Sequence, residues 1–351
     1  MPAFRIAVIG GDGIGPEVIA QAVRVAERAA RRDGAELKWN TLPWGSAFYQ
    51  ANGRILPADG WDILRQHDAI LFGAIGSPHV PEAVTAHELL LPMRRRFDQY
   101  VNLRPSTLYA GVPCPLRDKA PGSIDLAMYR ENTEGEYAPI GGRLYNGSPA
   151  ELALQTAVFT RRGCERLMRA AFAAARKRRK LVTSITKSNA LIYGLALWDE
   201  SFQTVAAEFP DVKAESLLVD AAAMDLVRRP ERFDVMTASN LFGDILTDLA
   251  AAVTGSIGLA ASGNINPERT APSMFEPVHG SAPDIAGKGI ANPMAAILSA
   301  GLMLDHLGLP AAAAAIRDGV SAVLKSGEAM APDLGGKATT TEVADAVLAR
   351  V

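Results

Sequence analysis

Two aspartates four residues apart are the strongest chemical signal in the sequence. Asp244 and Asp248 lie in "SNLFGDILTDLAAAVTG", residues 239–255. In a helix, side chains four apart share one face, so two carboxylates there repel each other unless a cation lies between them. Carboxylate oxygens suit Mg²⁺ or Mn²⁺ as ligands. The alternative is a solvated acidic helix face, and the motif by itself does not decide between the two.

Three arginines could bind an acidic substrate. Arg94 and Arg104 lie in "PMRRRFDQYVNLRP", and Arg130 lies in "MYRENTEGEY". The planar guanidinium group binds a carboxylate through two hydrogen bonds, so converging arginines indicate a di- or tricarboxylate. Separate surface ion pairs are the alternative, because the sequence does not show whether the side chains converge.

A lysine and a tyrosine could move protons. Lys187 lies in "SITKSNAL", at the end of a predicted strand. A buried lysine near other cations has a lowered pKa and can act as a general base. Tyr137 could return a proton to a carbanion. Taken singly, each residue could equally be structural.

The stretch "FEPVHGSAPDIAGKGIANP", residues 275–293, could wrap a nucleotide. It is rich in small residues and precedes a helical pattern that begins at about Met294. Its free backbone N–H groups suit a phosphate, and the Asp284 carboxylate could bond ribose hydroxyls and repel a 2′-phosphate. His279 could stack on an adenine or cap a loop. A surface loop without a ligand is the alternative.

The glycine loop "GGDGIGPE" after the first apolar run fails the dinucleotide fingerprint. Starting from Gly11 and Gly13, the third glycine of G-x-G-x-x-G would be residue 16, which is Pro16. Asp12 would also place a carboxylate beside the phosphates. The loop lacks the Gly-Lys-Ser/Thr sequence that a P-loop needs. We therefore predict a tight turn from the first strand into its helix.

These residues must be positioned by alternating strands and helices, which indicate α/β architecture. Continuous apolar runs predict strands covered on both faces. The interval 136–160, with Gly141-Gly142 and Asn146-Gly147 between short strand-like pieces, predicts a protruding hairpin that could serve as a dimer arm. The predicted strands are 4–10, 68–75, 124–130, 180–187 and 233–239, and the predicted helices include 16–32 and 163–178.

The composition is that of an ordinary globular protein, with 351 residues, 48% hydrophobic, 21% charged and a net charge of −2. This balance gives no reason to expect nucleic acid or an anionic membrane as a partner.

The basic run "RKRRK", residues 176–180, is interpreted as a solvated helix C-terminus, with a nucleic-acid or phosphate patch as the alternative. No signal peptide or membrane-spanning run is recognised, so we expect a cytoplasmic protein. Cys114 and Cys164 have no metal-like spacing.

Taken in order, "GDGIGPE", "NLRP", "RENTEGEY", "TKSN", "NLFGDILTD" and "EPVHGSAPDIAGKGIANP" span nearly the whole chain. With them the sequence resembles the metal-dependent β-decarboxylating dehydrogenases of the isocitrate/isopropylmalate dehydrogenase family. The stretches "FDQYVNLRP", "RENTEGEY", "FTRRG" and "INPERTAPSMFEPVHGSAPDI" look most like the tartrate/D-malate branch. The resemblance implies that family's fold, two α/β domains with a hairpin dimer arm and no Rossmann fold. The large domain would comprise residues 1–99 and 255–351, and the small domain 100–254.

The resemblance also implies a role for each catalytic residue. Arg94, Arg104 and Arg130 would hold the malate core of the substrate. Mg²⁺ or Mn²⁺ would be bound by Asp244 and Asp248 of one subunit and Asp220 of the other. Lys187, also from the other subunit, would be the general base, and Tyr137 the proton donor. A homodimer with a shared active site follows from this division.

NAD is the expected cofactor. Relatives that use NADP have a lysine-tyrosine pair where this chain has Asp284-Ile285. The family also leaves room for a monovalent cation such as K⁺. The residues implied in binding the cofactor are Ile14, Glu276, His279, Gly280, Ser281, Ala282, Asp284, Ile285 and Asn292.

One segment departs from both branches of the family and leaves the substrate open. Where tartrate/D-malate relatives tend to have Leu-Trp-Gly, this chain has Ala86, His87 and Glu88. Isopropylmalate enzymes have a glutamate at the His87 position and two leucines that match Leu90 and Leu91. His87 could bond a polar substituent at C3 of the substrate or face solvent, and Leu90 could contact an apolar one. We expect D-malate or tartrate, with 3-isopropylmalate or another 3-substituted malate as the alternative.

Overall fold

A computed structural model describes residues 2–351 and has an α/β fold. The apolar runs form strands within two residues of the predicted limits, which confirms those predictions. The strands are β1 (Ala3–Gly11), β2 (Glu36–Thr41), β3 (Ala69–Ala74), β4 (Val101–Thr107), β5 (Asp125–Glu131), β6 (Gly141–Leu144), β7 (Leu152–Gln155), β8 (Leu181–Thr186), β9 (Lys213–Leu218), β10 (Val235–Ala238), β11 (Ala261–Ile265) and β12 (Ser273–Pro277).

The helices cover both faces of the sheet. They are α1 (Gly15–Arg32), α2 (Ser46–Asn52), α3 (Gly60–Arg65), α4 (Glu82–Thr85), α5 (Leu91–Arg96), α6 (Arg161–Ala175), α7 (Gly194–Glu208), α8 (Val219–Arg228), α9 (Asn240–Val253), α10 (Met294–His306), α11 (Pro310–Ser326) and α12 (Thr340–Leu348). Between α4 and α5 the chain forms a π-helical turn, Ala86–Leu90. In the described part of the chain, no helix is both long and apolar enough to cross a membrane.

Ten strands form one continuous mixed sheet in the order β2-β1-β3-β12-β11-β4-β5-β10-β8-β9. The first five strands come from residues 1–99 and 255–351, and the last five from 100–254. Antiparallel pairing joins the two groups where β11 lies beside β4. The sheet therefore runs through the predicted domain boundary, and the two-domain division stays a prediction.

The apolar stripes predicted for the two amphipathic helices are buried. On α1 the stripe packs with α10, α11 and α12 in one core cluster, and on α6 it packs with α7 in another. Helix α6 ends at Ala175, three residues before the predicted end at residue 178. The backbone at Lys180 has a positive φ of 59°, so the basic run forms a turn rather than a last helical turn.

Strands β6 and β7 form the predicted hairpin, in which Gly141 pairs with Gln155 and Leu144 with Leu152. Every residue of both strands is exposed. Among the exposed side chains are the apolar groups of Leu144, Leu152 and Leu154. Large apolar groups left in water are typical of a surface that another protein covers.

Candidate active site

The two aspartates of the predicted metal motif lie on one face of α9, beside two of the predicted arginines. Asp244 Oδ1 accepts a hydrogen bond from Arg130 Nη1 and another from Arg104 Nη1 at 3.3 Å. Tyr137 donates its hydroxyl to Asp244 Oδ2 at 2.8 Å. Asp248 Oδ1 lies 3.7 Å from Arg104, and its side chain is 61% exposed. The structure thus brings together five of the residues singled out from the sequence.

The Arg130 side chain lies across α9 and is fixed there by hydrogen bonds and close packing. Its Nε and Nη2 atoms both donate to Asn240 Oδ1, at 3.1 and 2.8 Å. A Cβ atom at Gly243 would lie 2.5 Å from Arg130 Cγ, so only glycine lets the side chain pass. Burial, followed by the charge of Arg104, lowers the pKa of Arg130 to about 9. An anionic ligand would relieve this accumulation of positive charge.

The third arginine of the predicted set, Arg94, is also buried. Its Nη2 lies 3.3 Å from Glu276 Oε1, which also accepts from Asn264 Nδ2 at 2.8 Å. Among the described residues, the buried Nε atoms of Arg94 and Arg104 have no hydrogen-bond partner. Buried donors are normally paired, so two unpaired donors in one arginine cluster are an exception of the kind that functional sites show.

A pocket of about 450 Å³ opens beside these groups. Arg94 and Tyr137 contribute its polar wall, and the π-helical turn contributes His87 and Leu90. Such turns are frequent at functional sites because they redirect side chains out of the regular helix. The remaining lining residues are Ala86, Leu91, Glu136, Ala138, Pro139 and Gln155.

A second pocket of about 620 Å³ shares Ala86 and Leu90 with the first. Two of the predicted cofactor residues, Gly280 and Ser281, lie in its wall. The pocket is therefore placed where a cofactor could meet a substrate in the first one. The other lining residues are Ile75, Gly76, Ser77, Pro78, Val80, Glu82, Thr85 and Pro283.

The glycine loop contacts Ser281, one of the residues that line this second pocket. The backbone N–H of Ile14 donates to Ser281 O at 2.9 Å. Gly13 has a φ of +57°, and a Cβ atom there would lie 1.9 Å from the same carbonyl oxygen. Asp12 accepts from the backbone N–H groups of Ser46 and Gly76, at 2.8 and 2.9 Å. The tight turn predicted here is confirmed, and it holds the loop that contains Ser281.

The other predicted cofactor residues have mixed surroundings. Asp284 is exposed, and Ile285 packs against the main core cluster. Burial lowers the pKa of His279, and its buried Nε2 has no partner among the described residues. Asn292, two residues before α10 begins, accepts a hydrogen bond from Met294 N at 3.0 Å. Ala282 has a positive φ of 40°.

Lys187 and Asp220 lie apart from the cluster around Asp244. Lys187 follows β8, and its Nζ donates to Asp220 Oδ1 in the first turn of α8 at 2.7 Å. This hydrogen bond lowers the pKa of the Asp220 carboxyl. Within residues 2–351 no three acidic, histidine or cysteine side chains meet as a metal site. One chain therefore contains the predicted residues in two separate groups.

Sequence reasoning missed three residues that support the cluster. Asn240 and Thr247 lie on the same helix as Asp244, four residues before it and three after it, and Thr247 Oγ1 accepts from Arg104 at 2.7 Å. Helical spacing could have found both. Glu136 accepts from Ser239 Oγ and from Leu241 N, at 2.7 and 3.0 Å, and so caps α9. No short-range pattern links Glu136 to that helix.

The basic run at 176–180 is occupied by structural contacts. Arg176 pairs with Asp211 at 2.6 Å, and Arg178 Nε lies 2.8 Å from the buried carboxylate of Asp234. Arg179 donates to the carbonyl oxygens of Glu231 and Phe233. These contacts argue against a nucleic-acid patch, and they make the run a hydrogen-bonded turn after α6 rather than the predicted solvated helix C-terminus.

Known proteins are similar to this chain over nearly its whole length. Residues 5–347 match the model of the isocitrate/isopropylmalate dehydrogenase family. The chain is 48% identical over 349 residues to a probable tartrate dehydrogenase/decarboxylase of Agrobacterium vitis, covering 99% of this chain and 97% of that protein. It is 49% identical over 355 residues to the decarboxylating D-malate dehydrogenase of Escherichia coli K12, covering 99% and 98%.

Two further proteins extend the comparison. A 3-isopropylmalate dehydrogenase of Thermobifida fusca is 51% identical over 349 residues, covering 99% of this chain and 97% of that protein. The crystal structure of isocitrate dehydrogenase from Methylococcus capsulatus superposes with a TM-score of 0.89 at 38% identity, covering 99% of both chains. Relatives that carry different substrate names thus have similar identity to this chain.

Proposed function

The chain belongs to the isocitrate/isopropylmalate dehydrogenase family, and we propose that it oxidises and decarboxylates D-malate or tartrate with NAD and a divalent metal ion. The names of its relatives support an oxidative decarboxylating enzyme. One observation carries the proposal for this chain: Arg104, Arg130 and Tyr137 all meet the Asp244 carboxylate. That arrangement offers cations for a dicarboxylate, an oxygen ligand for a metal and a proton donor in one cluster, and Tyr137 also lines the first pocket.

In this proposal the three arginines bind the carboxylates of the substrate. The buried guanidinium groups of Arg94, Arg104 and Arg130 have already lost most of their hydration. Binding a dicarboxylate would therefore replace little water, and each guanidinium–carboxylate pair would gain charge-assisted hydrogen bonds. The three fixed positive charges orient the substrate so that its C2 hydroxyl and its C3 carboxylate have defined surroundings.

The residues present fit a divalent cation and a dinucleotide. Asp244 and Asp248 provide the oxygen ligands that Mg²⁺ or Mn²⁺ prefers, and Asp220 of a second subunit would complete the set. When bound, the metal supplies Lewis acidity at the 2-hydroxyl, and NAD supplies a hydride acceptor. The exposed Asp284 carboxylate is suited to ribose hydroxyls and unsuited to a 2′-phosphate.

Two side chains move the protons. Lys187 of the second subunit accepts the proton of the 2-hydroxyl as C2 loses its hydride. Carbon dioxide then leaves from C3, and Tyr137 gives that carbon the proton it needs. Burial and the Asp244 hydrogen bond raise the pKa of Tyr137 to about 12, so the phenol keeps its proton at neutral pH.

A homodimer is part of the proposal, because Lys187 and Asp220 lie apart from the metal face, the side of α9 that carries Asp244 and Asp248, in one chain. Exposed apolar side chains on neighbouring helices, Met224 and Val227 on α8 and Ile245 on α9, are 56%, 46% and 59% exposed. Together with the apolar hairpin they offer a surface that a second copy could cover. Such a contact would place Lys187 and Asp220 beside the partner's metal face.

A second candidate substrate is 3-isopropylmalate. Leu90, Leu91 and Pro139 give the first pocket an apolar wall that a branched C3 substituent could contact. His87 at the same wall favours a polar substituent instead. Relatives of similar sequence identity are named for D-malate and for 3-isopropylmalate.

The decisive experiment is a substrate panel. We expect D-malate or tartrate to give the highest kcat/KM with Mn²⁺ and NAD, and NADP to be a poor substitute. The panel compares D-malate, tartrate, 3-isopropylmalate and isocitrate by steady-state NADH production. If 3-isopropylmalate exceeded D-malate and tartrate by more than about tenfold, the specificity would be assigned to the apolar wall.

A further inference from the structure

The loop that carries Tyr137 is attached to the hairpin on both sides. The loop, residues 135–140, connects the region after β5 to the start of the hairpin. Gly135 and Val158 exchange backbone hydrogen bonds of 2.7 and 3.0 Å, and Thr156 N donates to Ile140 O at 2.8 Å. The returning half of the hairpin thus fixes both ends of the loop, while Tyr137 lies between them.

One side chain of the hairpin reaches the middle of this loop. Gln155, the last residue of β7, donates its amide N–H groups to Ala138 O at 2.7 Å and Glu136 O at 3.4 Å. These two carbonyl groups belong to the residues on either side of Tyr137. Gln155 also lines the first pocket.

From these contacts we infer that Gln155 is a positioning residue that holds the Tyr137 hydroxyl in place for proton transfer. The inference rests on the proposed function, in which Tyr137 protonates C3. Glu136 anchors its own side chain to α9, but only Gln155 bridges the two carbonyl groups that flank the tyrosine in the described chain. Proton transfer needs the donor within hydrogen-bond reach of the carbon, and a misplacement of about 1 Å can cost about 100-fold in rate.

The test replaces the donor without changing the side-chain length. Gln155→Met removes both N–H groups and leaves the backbone pairing of β7 with β6 intact, because that pairing does not involve the side chain. The matched control is Glu151→Gln, which weakens the ion pair with Arg143 at the hairpin tip, 3.0 Å in length, and does not touch the loop. In single turnovers we measure NADH formation, which reports the oxidation step, and formation of the decarboxylated keto acid, which reports C3 protonation. Steady-state kcat and hydrogen exchange of the amides of residues 135–140 complete the measurements.

We expect Gln155→Met to slow formation of the decarboxylated keto acid by about tenfold, to leave the KM for NAD unchanged and to speed amide exchange in the loop. Glu151→Gln should change the rate by less than about twofold. In a Tyr137→Phe background, Gln155→Met should have no further effect, because the group it positions is gone.

Three results would overturn the inference. A Gln155→Met rate equal to that of the unmodified protein means that the contact positions nothing. An equal loss in the unmodified and Tyr137→Phe backgrounds means that Gln155 acts on the fold and not through Tyr137. A Tyr137→Phe variant with unchanged turnover removes Tyr137 from the proposed chemistry, and the inference with it, whereas the first two results leave the proposed function standing.

Discussion

At the scale of single residues, Asp244 is the centre of the site because three different side chains donate to its carboxylate. The residue types involved could be read from the sequence, but their mutual contacts could not. Arg104, Arg130 and Asp244 are far apart along the chain, and only the fold brings their atoms together. Asp248, four residues on, stays 61% exposed and makes a single longer contact.

This difference makes Asp248 the better residue for a metal-binding test. We expect Asp248→Asn to weaken Mn²⁺ binding by at least about tenfold, because a carboxylate ligand is lost. The free energy of unfolding should change by less than about 0.5 kcal/mol, since the side chain is on the surface. Calorimetric titration with Mn²⁺ and thermal unfolding check the two statements.

The control for this variant is Asp59→Asn, which removes the same charge from an exposed position before α3. It should leave Mn²⁺ affinity unchanged. Equal Mn²⁺ affinity in Asp248→Asn and Asp59→Asn would exclude Asp248 from the metal site.

At the scale of elements, the strands, the first helix and the hairpin were predictable because their patterns are local. The antiparallel joint between β11 and β4 was not, because it pairs residues about 160 positions apart. The predicted end of α6 was also wrong. Basic residues are compatible with a helical pattern in the sequence, but the helix ends before them and Lys180 adopts a positive φ. The π-helical turn at Ala86–Leu90 has no sequence signature of its own.

The contact between the glycine loop and Ser281 gives a prediction at this scale. Gly13→Ala forces a methyl group against the Ser281 carbonyl oxygen, 1.9 Å from the ideal Cβ position, and should displace the cofactor loop. We expect the KM for NAD to rise about tenfold, equivalent to about 1.4 kcal/mol of binding free energy. Initial rates at varied NAD concentration provide the measurement.

Gly34→Ala is a matched control, because Gly34 also has a positive φ, of 74°, and open space around the added methyl group. It should cost about 1–2 kcal/mol of stability through backbone strain and leave the KM for NAD as it is. If both variants raised that KM equally, strain and not the contact with Ser281 would be responsible.

At the scale of the whole molecule, the candidate residues fall into two groups that a single chain does not join. The sequence resemblance named all of them and implied that Lys187 and Asp220 act from the other subunit; the fold adds that, within one chain, these two residues pair with each other and not with Asp244. Neither composition nor periodicity contains information about a second copy. In the proposed dimer, Lys187 and Asp220 of one subunit would meet Asp244 of the other.

Hybrid dimers test this division. Lys187→Ala and Asp244→Asn are each expected to be nearly inactive alone. Mixed and reassociated, they should regain about 25% of the unmodified activity, because half of the dimers are hybrids with one intact site of two. Activity after denaturation and joint refolding is the measurement, and each variant refolded alone is its control. No recovery in a mixture that contains hybrid dimers would place Lys187 and Asp244 in the same subunit's site.

The core cluster that joins α1 to α10, α11 and α12 has a consequence for biosynthesis. Helix α1 leaves the ribosome early, yet the helices that cover its apolar stripe are made more than 260 residues later. Residues 100–254 carry core clusters of their own and can collapse in the meantime. The stripe of α1 therefore lacks its final helical cover until the last sixty or so residues of the chain have been made.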